Sequence, residues 1–419
     1  MERSRHLLVV GADPGKEEAF IEFARAHVAV TLVTDQVTSY SSLVEHTIYA
    51  PLDGVDSWLD RLPNAPDGVL TLSDLGQIPA AHIAEKLRLP GSGLSAAQTA
   101  SSKLLQRGQL ERSGLAVPRF SAVETPEDVA AFMNAAPGSA ILKPPSSSAS
   151  TAVSLLTRPD QAADALSLVR KLTGRRLALI EEYLPGQEVS VEGVVVDGVL
   201  LDYSVTEKIV SSRFVAVEAR HTVRSPREQV LHDAAGRELA RVVDAVSLRT
   251  GITHAEFKIY DGRWTLVEIA MRLGGGRIPT LTRLAGGLDL NAAALALAMG
   301  HSLHDTPAWR TSLGETAEVA CAAFLAREGL VRRTLDPVAV AVGLKHVRWI
   351  QQLVPAGRRV RLPLANWGRS AVVLASGSLD EESDVHGSVD AAIARVQYQL
   401  FGEEQQEGEG QLDPSRHWQ

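Results

Sequence analysis

The stretch His254-Ala255-Glu256-Phe257-Lys258-Ile259-Tyr260-Asp261-Gly262-Arg263-Trp264-Thr265-Leu266-Val267-Glu268-Ile269-Ala270-Met271-Arg272-Leu273-Gly274-Gly275-Gly276 sets two carboxylates and an arginine among Phe, Ile, Trp, Leu and Val. It reads as two strands flanking Asp261-Gly262. Glu256 and Glu268 are separated by an even number of positions, so in an antiparallel hairpin they share a face only if the loop is odd. Asp-Gly by itself favours a two-residue turn, which puts them on opposite faces. We take the odd loop, Asp261-Gly262-Arg263, which sets Glu256 directly opposite Glu268 with Cβ atoms about 5 Å apart. At that spacing two carboxylates can share hard cations. Mg2+ (one or two ions, with Mn2+ as the alternative) prefers a few carboxylate oxygens completed by water and phosphate. The plain alternative is a pair of solvent-facing strand residues. Arg272, four residues past Glu268, falls on the same face if the strand continues. There it would meet a phosphate or carboxylate through paired donors, or else a glutamate of the hairpin.

Upstream, two lysines stand where phosphates could be handled. Lys143 ends the strand-like Ala140-Ile141-Leu142 and precedes Pro144-Pro145 and the run Ser146-Ser147-Ser148-Ala149-Ser150, whose backbone N–H groups and hydroxyls can wrap phosphate oxygens. Lys103 lies on a helix that starts at Ser95, with Gln98 completing a capping box, and ends at Gly114 before Pro118. Either lysine alone is more often a solvated surface charge, and the order of the features gives the pair its value. The apolar strand Leu177-Ala178-Leu179-Ile180 leading to Glu181-Glu182 suits an aromatic ring edged by backbone polar groups.

The first 94 residues read as a small open α/β sheet, with strands at 7–10, 28–33 and 68–72 and helices near 16–26 and 75–87. Its Gly11-Ala12-Asp13-Pro14-Gly15-Lys16 resembles a phosphate loop but is one residue short between the glycines, and Glu17 stands where Ser or Thr should hold magnesium. Residues 95–117 are a linking helix, and 118–176 a lid-sized module with strands at 139–142 and 152–156 and a helix at 159–172. Residues 177–312 are α+β, with strands at 177–183, 188–196, 199–205 and 214–218 and a helix at 226–250. A β-rich portion covers 313–402, and the acidic, Gln- and Gly-rich tail 403–419 is expected to be disordered.

Composition narrows the class. With Lys+Arg 42 against Asp+Glu 50 the net charge is −8, which argues against a nucleic-acid partner. The single cysteine, Cys321, forms no intrachain disulfide and no thiolate cluster, as expected in a reducing compartment. Leu7 to Val10 is too short for a signal-peptide core, and no apolar run approaches the roughly 18 residues of a membrane span. A cytoplasmic protein without membrane or nucleic-acid partners is expected. The oligomeric state is open, with a homodimer as the expectation.

Taken in order, these features resemble the ATP-grasp superfamily from Ser95 to about Leu379, and within it carboxylate–amine ligases of the L-amino acid (dipeptide) ligase branch. The residues that carry the resemblance are Lys103 before Leu104-Leu105 with Gly114-Leu115-Ala116-Val117-Pro118, Ile141-Leu142-Lys143-Pro144, Leu179-Ile180-Glu181-Glu182-Tyr183-Leu184-Pro185-Gly186-Gln187-Glu188, and Glu256, Glu268 and Arg272. The fold implied is ATP-grasp, mixed α/β and α+β. The resemblance implies that Lys103 and Lys143 contact the phosphates of ATP, joined by Ser147, Ser148 and Lys208. It further implies that the Glu181-Glu182 segment and Leu184 frame adenine, Glu188 meets ribose, and Glu256 and Glu268 hold magnesium. Phe214-Val215-Ala216-Val217-Glu218-Ala219-Arg220-His221 resembles the Glu-x-x-His segment of dipeptide ligases, where Glu218 would face a substrate ammonium and His221 the reacting carboxylate. A carboxylate suits an α-amino group, and a histidine can take the proton an attacking amine loses. Both are equally readable as loop-surface residues.

Ala270 stands where many relatives have a metal-ligating Asn, and the lid loop has serine where they have glycine. Gly274-Gly275-Gly276 suggests backbone close to substrate at Gly275 and Gly276 and a roomy pocket, or a plain turn. The implied reaction is a two-step ligation: a carboxylate takes the γ-phosphoryl group of ATP, and an amine then displaces phosphate, with Arg272 steadying the negative charge. The alternatives are a bicarbonate-using carboxylase, a ligase for a carboxylate that is not an amino acid, and a non-catalytic nucleotide-binding protein.

Overall fold

The computed structural model describes residues 5–136, 138–147, 149–211, 217–226, 231–306, 309–310, 317–360 and 366–402. Ser148, most of the expected strand at 214–218 and the tail 403–419 lie outside them.

The chain opens with β1 (His6–Ala12), α1 (Glu17–Arg25), β2 (Ala29–Thr34), β3 (His46–Tyr49), α2 (Val55–Leu59), β4 (Gly68–Leu72) and α3 (Gln77–Leu87). The strands form a parallel sheet in the order β3-β2-β1-β4. Leu7, Leu8, Val9 and Val10 are fully buried, as a strand covered on both faces requires.

The single helix expected from Ser95 to Gly114 is two helices, α4 (Leu94–Ala100) and α5 (Lys103–Arg112). The capping box at Ser95 does not form, because Gly93 precedes α4 without a side-chain cap. Ser102 instead caps α5, accepting from the Leu105 N–H.

The lid-sized module holds β5 (Phe120–Val123), α6 (Pro126–Ala135), β6 (Ala140–Lys143), β7 (Ser154–Leu156), α7 (Ala162–Thr173) and β8 (Ala178–Glu182), with sheet order β5-β8-β6-β7. β8, expected to open the large sheet, closes this small one, because Ala178 and Ile180 pack into its core with Val123, Leu142 and Val169.

Among the described residues the large sheet has eight strands. It is built from β9 (Gln187–Val196), β10 (Val199–Val210), β11 (Glu218–Arg224), α8 (His232–Val246), β12 (Gly251–Tyr260) and β13 (Arg263–Ala270). After α9 (Ile278–Leu281) and α10 (Leu290–Ala298) come β14 (Val319–Leu325), β15 (Gly329–Leu330), α11 (Pro337–Ala341), β16 (Val347–Gln352), β17 (Arg359–Val360), β18 (Ala371–Gly377) and α12 (Glu382–Phe401). The order is β13-β12-β9-β10-β11-β14-β18-β16, so the C-terminal strands extend the central sheet. α8 lays Leu239, Val242, Val243 and Val246 on β9 and β10, and α12 covers β14 and β18 with Val385, Val389, Ala392 and Val396.

The hairpin does not have the odd loop. Tyr260 pairs with Arg263, so the turn is the two-residue Asp261-Gly262, as the dipeptide by itself indicates. The register then slips between Glu256 and Phe257: Phe257 faces Leu266 while Glu256 faces Glu268, leaving Val267 as a bulge. The two glutamates are opposite each other because of the bulge.

One glycine holds the N-terminal sheet to its helix layer. A Cβ on Gly76 would lie 1.9 Å from the Val10 carbonyl oxygen. Gly76→Ala is expected to cost about 3 kcal/mol, whereas Gly108→Ala, whose Cβ would meet only Arg112 Nη1 at 3.4 Å, should gain about 1 kcal/mol. Urea titration of both variants checks the opposite signs.

Candidate functional site

The site starts from β13, an edge strand with its outer backbone unpaired. α5 supplies the missing partner. Its buried positions Lys103, Gln106, Arg107 and Leu110 fall at i, i+3, i+4 and i+7, so one helix face runs along the strand. The Gln106 amide pairs with the Ile269 backbone like a neighbouring strand: Nε2 donates to the Ile269 carbonyl and Oε1 accepts from its N–H, both at 3.1 Å. Arg107 Nη2 donates to the carbonyl of the bulged Val267 at 2.7 Å. Lys103 Nζ meets Glu268 Oε1 at 2.9 Å and the Ser147 carbonyl at 3.0 Å.

Arg107 and Lys143 converge from different elements on Glu181, each at 2.5 Å, and all three side chains are buried. Burial alone would raise the Glu181 carboxyl, but the two cations outweigh it and hold it down to about 2. The Glu181 side chain therefore fixes Lys143. Glu182 holds the edge of the small module, its Oε1 accepting from the Arg119 N–H at 3.0 Å. Leu184 is half-buried in the connection from β8 to β9.

On the adjoining strands, polar residues at period two share one sheet face. Glu188 pairs across the sheet with Lys258 and Lys208, and Glu192 with His254. Lys208, whose side chain is fully buried, bridges Glu218 Oε1 at 2.8 Å and Glu256 Oε1 at 2.5 Å. Burial opposes its charge, yet these carboxylates hold its ammonium above the usual range. His254 Nδ1 donates to Glu192 at 2.6 Å and Nε2 to Glu256 at 3.1 Å. Carboxylates only accept, so both ring nitrogens carry hydrogen; against burial, these contacts push the imidazole up to about 9. Glu188 meets Lys258 at 3.1 Å.

At the other end of this face, Glu218 accepts from Lys208, from Asn366 Nδ2 at 3.1 Å and from Arg369 Nη1 at 3.3 Å, and lies 3.3 Å from His221 Nε2. The His221 Nδ1–H donates to the Gly276 carbonyl at 2.9 Å. A Cβ on Gly276 would lie 2.3 Å from that ring, whereas one on Gly275 would meet nothing within 4 Å. Asn366 also donates its N–H to the Ala149 carbonyl at 2.9 Å, joining the serine loop to Glu218.

β13 ends at Ala270, so Arg272 does not share the strand face of Glu268. Its guanidinium turns to Asp74 after β4, with two bonds of 2.7 Å. Neither hairpin glutamate pairs with it among the described residues. Arg107, Gln106, His254, Glu192 and Asp74 are site residues that the sequence reading does not single out. The signals were a polar stripe at helical spacing in α5 and polar residues at period two in otherwise valine-rich β9.

Glu256 and Glu268 present two hard carboxylates, and among the described residues no group of three or more His, Cys, Asp or Glu side chains forms a metal cluster. That donor set fits a Mg2+ whose remaining ligands are phosphate and water. Ala270 is buried and adds no oxygen. A cavity of about 410 Å³ near Leu115 and Trp264 opens elsewhere and shares none of these side chains. No described helix is long and apolar enough to cross a membrane.

Residues 137–280 match the ATP-grasp domain family model, and the ATP-grasp fold extends over 93–94% of the chain. The crystal structure of L-amino acid ligase from Bacillus licheniformis is similar over 93% of this chain and 98% of that one, with a TM-score of 0.75 and 20% identity. A carboxyaminoimidazole ribonucleotide synthase from Aspergillus clavatus, complexed with ATP, reaches a TM-score of 0.75 at 14% identity over 94% and 99%. In sequence, the alanine–anticapsin ligase of Bacillus subtilis (strain 168) is 25% identical over 248 residues, 54% of this chain and 52% of that protein. The chain thus spans about half the length of the curated relatives it matches.

Glu181→Gln should leave two buried cations short of a counter-charge, at a cost of about 3–5 kcal/mol. The pH dependence carries a sign. The Glu181 carboxyl is depressed from 4.5 to about 2, so its contribution is complete above pH 4.5 and is lost as pH falls through 2. Denaturation at stepped pH should find the wild-type advantage over Glu181→Gln shrinking across that window and constant above it.

Proposed function

We propose that the protein is an ATP-dependent carboxylate–amine ligase acting on amino acids, forming an amide, and in the first instance a dipeptide, with release of ADP and phosphate. The observation that carries this reading is Glu256 facing Glu268 with Lys103 and Lys208 already seated on their oxygens. In this reading those ammonium groups keep two opposed carboxylates neutralised until the nucleotide arrives, and then turn to its phosphates. Glu256 and Glu268 would hold Mg2+, which supplies charge neutralisation at the transferring phosphoryl group.

The chain's own residues do the rest. Lys143, fixed by Glu181, binds phosphate beside Lys103, and the loop that carries Ser147 would cover both. Segment 181–184 receives adenine and Glu188 the ribose. A substrate carboxylate takes the γ-phosphoryl group, giving an acylphosphate and ADP. A second amino group attacks the acyl carbon and phosphate leaves. Three Arg272 N–H groups bond Asp74 and Leu273, leaving one hydrogen on each Nη for the developing oxyanion. In its neutral form His221, its Nδ1–H donated to Gly276, would take on Nε2 the proton the amine loses, with Glu218 3.3 Å away to stabilise the imidazolium that forms. The acylphosphate must be shielded from water, which the serine loop can do once held by Asn366.

The test follows ADP release and product mass with ATP, Mg2+ and single or paired amino acids. Pair-dependent ADP release with the matching dipeptide mass is expected, reduced roughly 10²–10³-fold in Glu268→Ala. ADP release that needs bicarbonate instead of an amino acid, or nucleotide binding without turnover under every pairing, would overturn the reading.

Gly275 borders open space. Gly275→Leu should keep its Tm and raise KM for bulky amino acids roughly tenfold while small ones change little, because one or two buried methylenes of lost room are worth about 1–3 kcal/mol. Steady-state kinetics over a size series checks this.

A further inference from the structure

The phosphate-loop-like run Gly11 to Lys16 takes no part in the reaction just described. Lys16 is buried, and its ammonium donates to two backbone carbonyls, Leu273 at 3.0 Å and Gly274 at 2.6 Å. No carboxylate lies within ion-pair distance of it among the described residues. Burying an ammonium costs several kcal/mol, so packing alone does not account for a lysine here. Its own loop is braced: the Lys16 N–H donates to Tyr40 Oη, whose hydroxyl donates to the Asp13 carbonyl.

The neighbouring contacts form a series. The Met271 N–H donates to Gln77 Oε1 at 2.6 Å, and Arg272 is held by Asp74. Lys16 takes the carbonyls of 273 and 274. Arg277 then reaches Glu17 at 3.5 Å, and the Thr280 hydroxyl donates to Glu18 at 2.8 Å. From 271 to 280 the segment that carries Arg272 and the three glycines is gripped at two places in the N-terminal unit, 16–18 at the start of α1 and 74–77 leading into α3.

We propose that Lys16 is a positioning residue, the central contact of a clasp by which the N-terminal sheet sets the Arg272–Gly276 segment against the reaction site. The degenerate phosphate loop thus binds a peptide backbone in place of a phosphate. In a trans peptide the carbonyl and the N–H of one unit point opposite ways. With the carbonyls of 273 and 274 turned to Lys16, the N–H groups of Gly274 and Gly275 turn away from it. Burial and the nearby Arg272 charge push the Lys16 ammonium down to about 7, with Asp13, Asp74 and Glu192 acting the other way.

The structural part of the proposal stands without the ligase reading; only its kinetic consequence rests on it. Lys16→Met keeps the stem and removes the donors. Hydrogen–deuterium exchange of the full chain is expected to accelerate roughly tenfold at amides within 271–280 and to stay unchanged in β9 and β10, with Lys16→Arg restoring most of the protection. If Lys16→Met does not fold, Gln77→Leu is read the same way at 271–273. Unchanged exchange in 271–280, or acceleration spread evenly over the N-terminal sheet, overturns the clasp whether or not the protein ligates anything. Where the ligase reading holds, kcat in Lys16→Met should fall about 10²-fold with KM for ATP within twofold. A parallel rise in KM for ATP would mark Lys16 as a phosphate ligand and overturn the positioning role.

Discussion

Two carboxylates set face to face on adjacent strands repel at close range, and much of the surrounding architecture answers that repulsion. Glu256 is met by Lys208 and the His254 imidazolium, and Glu268 by Lys103. Each cation needs support of its own because each is buried. Lys208 leans on Glu218, His254 on Glu192, and Lys143, further along, on Glu181, which it shares with Arg107. The result is alternating charge in two pieces, Glu218–Lys208–Glu256–His254–Glu192 across β11, β10, β12 and β9, and Lys103–Glu268 between α5 and β13. Taking one member out leaves the next unpaired in a medium where an uncompensated charge is expensive.

This network explains what could be read from the sequence and what could not. The face-to-face glutamates were legible, but for a geometric reason that does not hold. An odd loop was invoked to satisfy strand parity, whereas the Asp261-Gly262 turn is even and parity is restored at Val267. A bulge leaves no local mark when the extra residue is one more valine in an apolar strand. Its stabiliser is remote: the Val267 carbonyl is satisfied by Arg107, far away in the chain. The helix break at Ser101-Ser102 was missed for a similar reason, since two serines compete as caps and only the packing of α5 on β13 selects Ser102. The Thr125–Asp128 capping box was present in the sequence and would have located α6, and with it β5.

Arg272 illustrates a different limit. Its position after Glu268 identifies it, but strand parity points it wrongly because the strand ends first. Its partner, Asp74, belongs to the N-terminal sheet. Contacts between domains have no period for a sequence to display, and the same holds for Lys16 and the carbonyls it grips. The motif at Gly11 was visible as a departure from a phosphate loop; what replaced the phosphate was not.

The serine loop adds an energetic asymmetry to this rigid frame. Ala149, Ser150 and Ala152 all adopt left-handed backbone conformations, with φ of 53°, 59° and 57°, where glycine would be unstrained. Each such residue costs roughly 1–2 kcal/mol. Contacts seen at the loop, notably Asn366 donating to Ala149 and the Ser147 carbonyl accepting from Lys103, must offset that cost. Lys103 is shared between the loop and Glu268, and Asn366 between the loop and Glu218. Any event that draws Lys103 away from these partners also loosens a strained loop, so the charge state of the site and the conformation of the loop are linked through the same two residues.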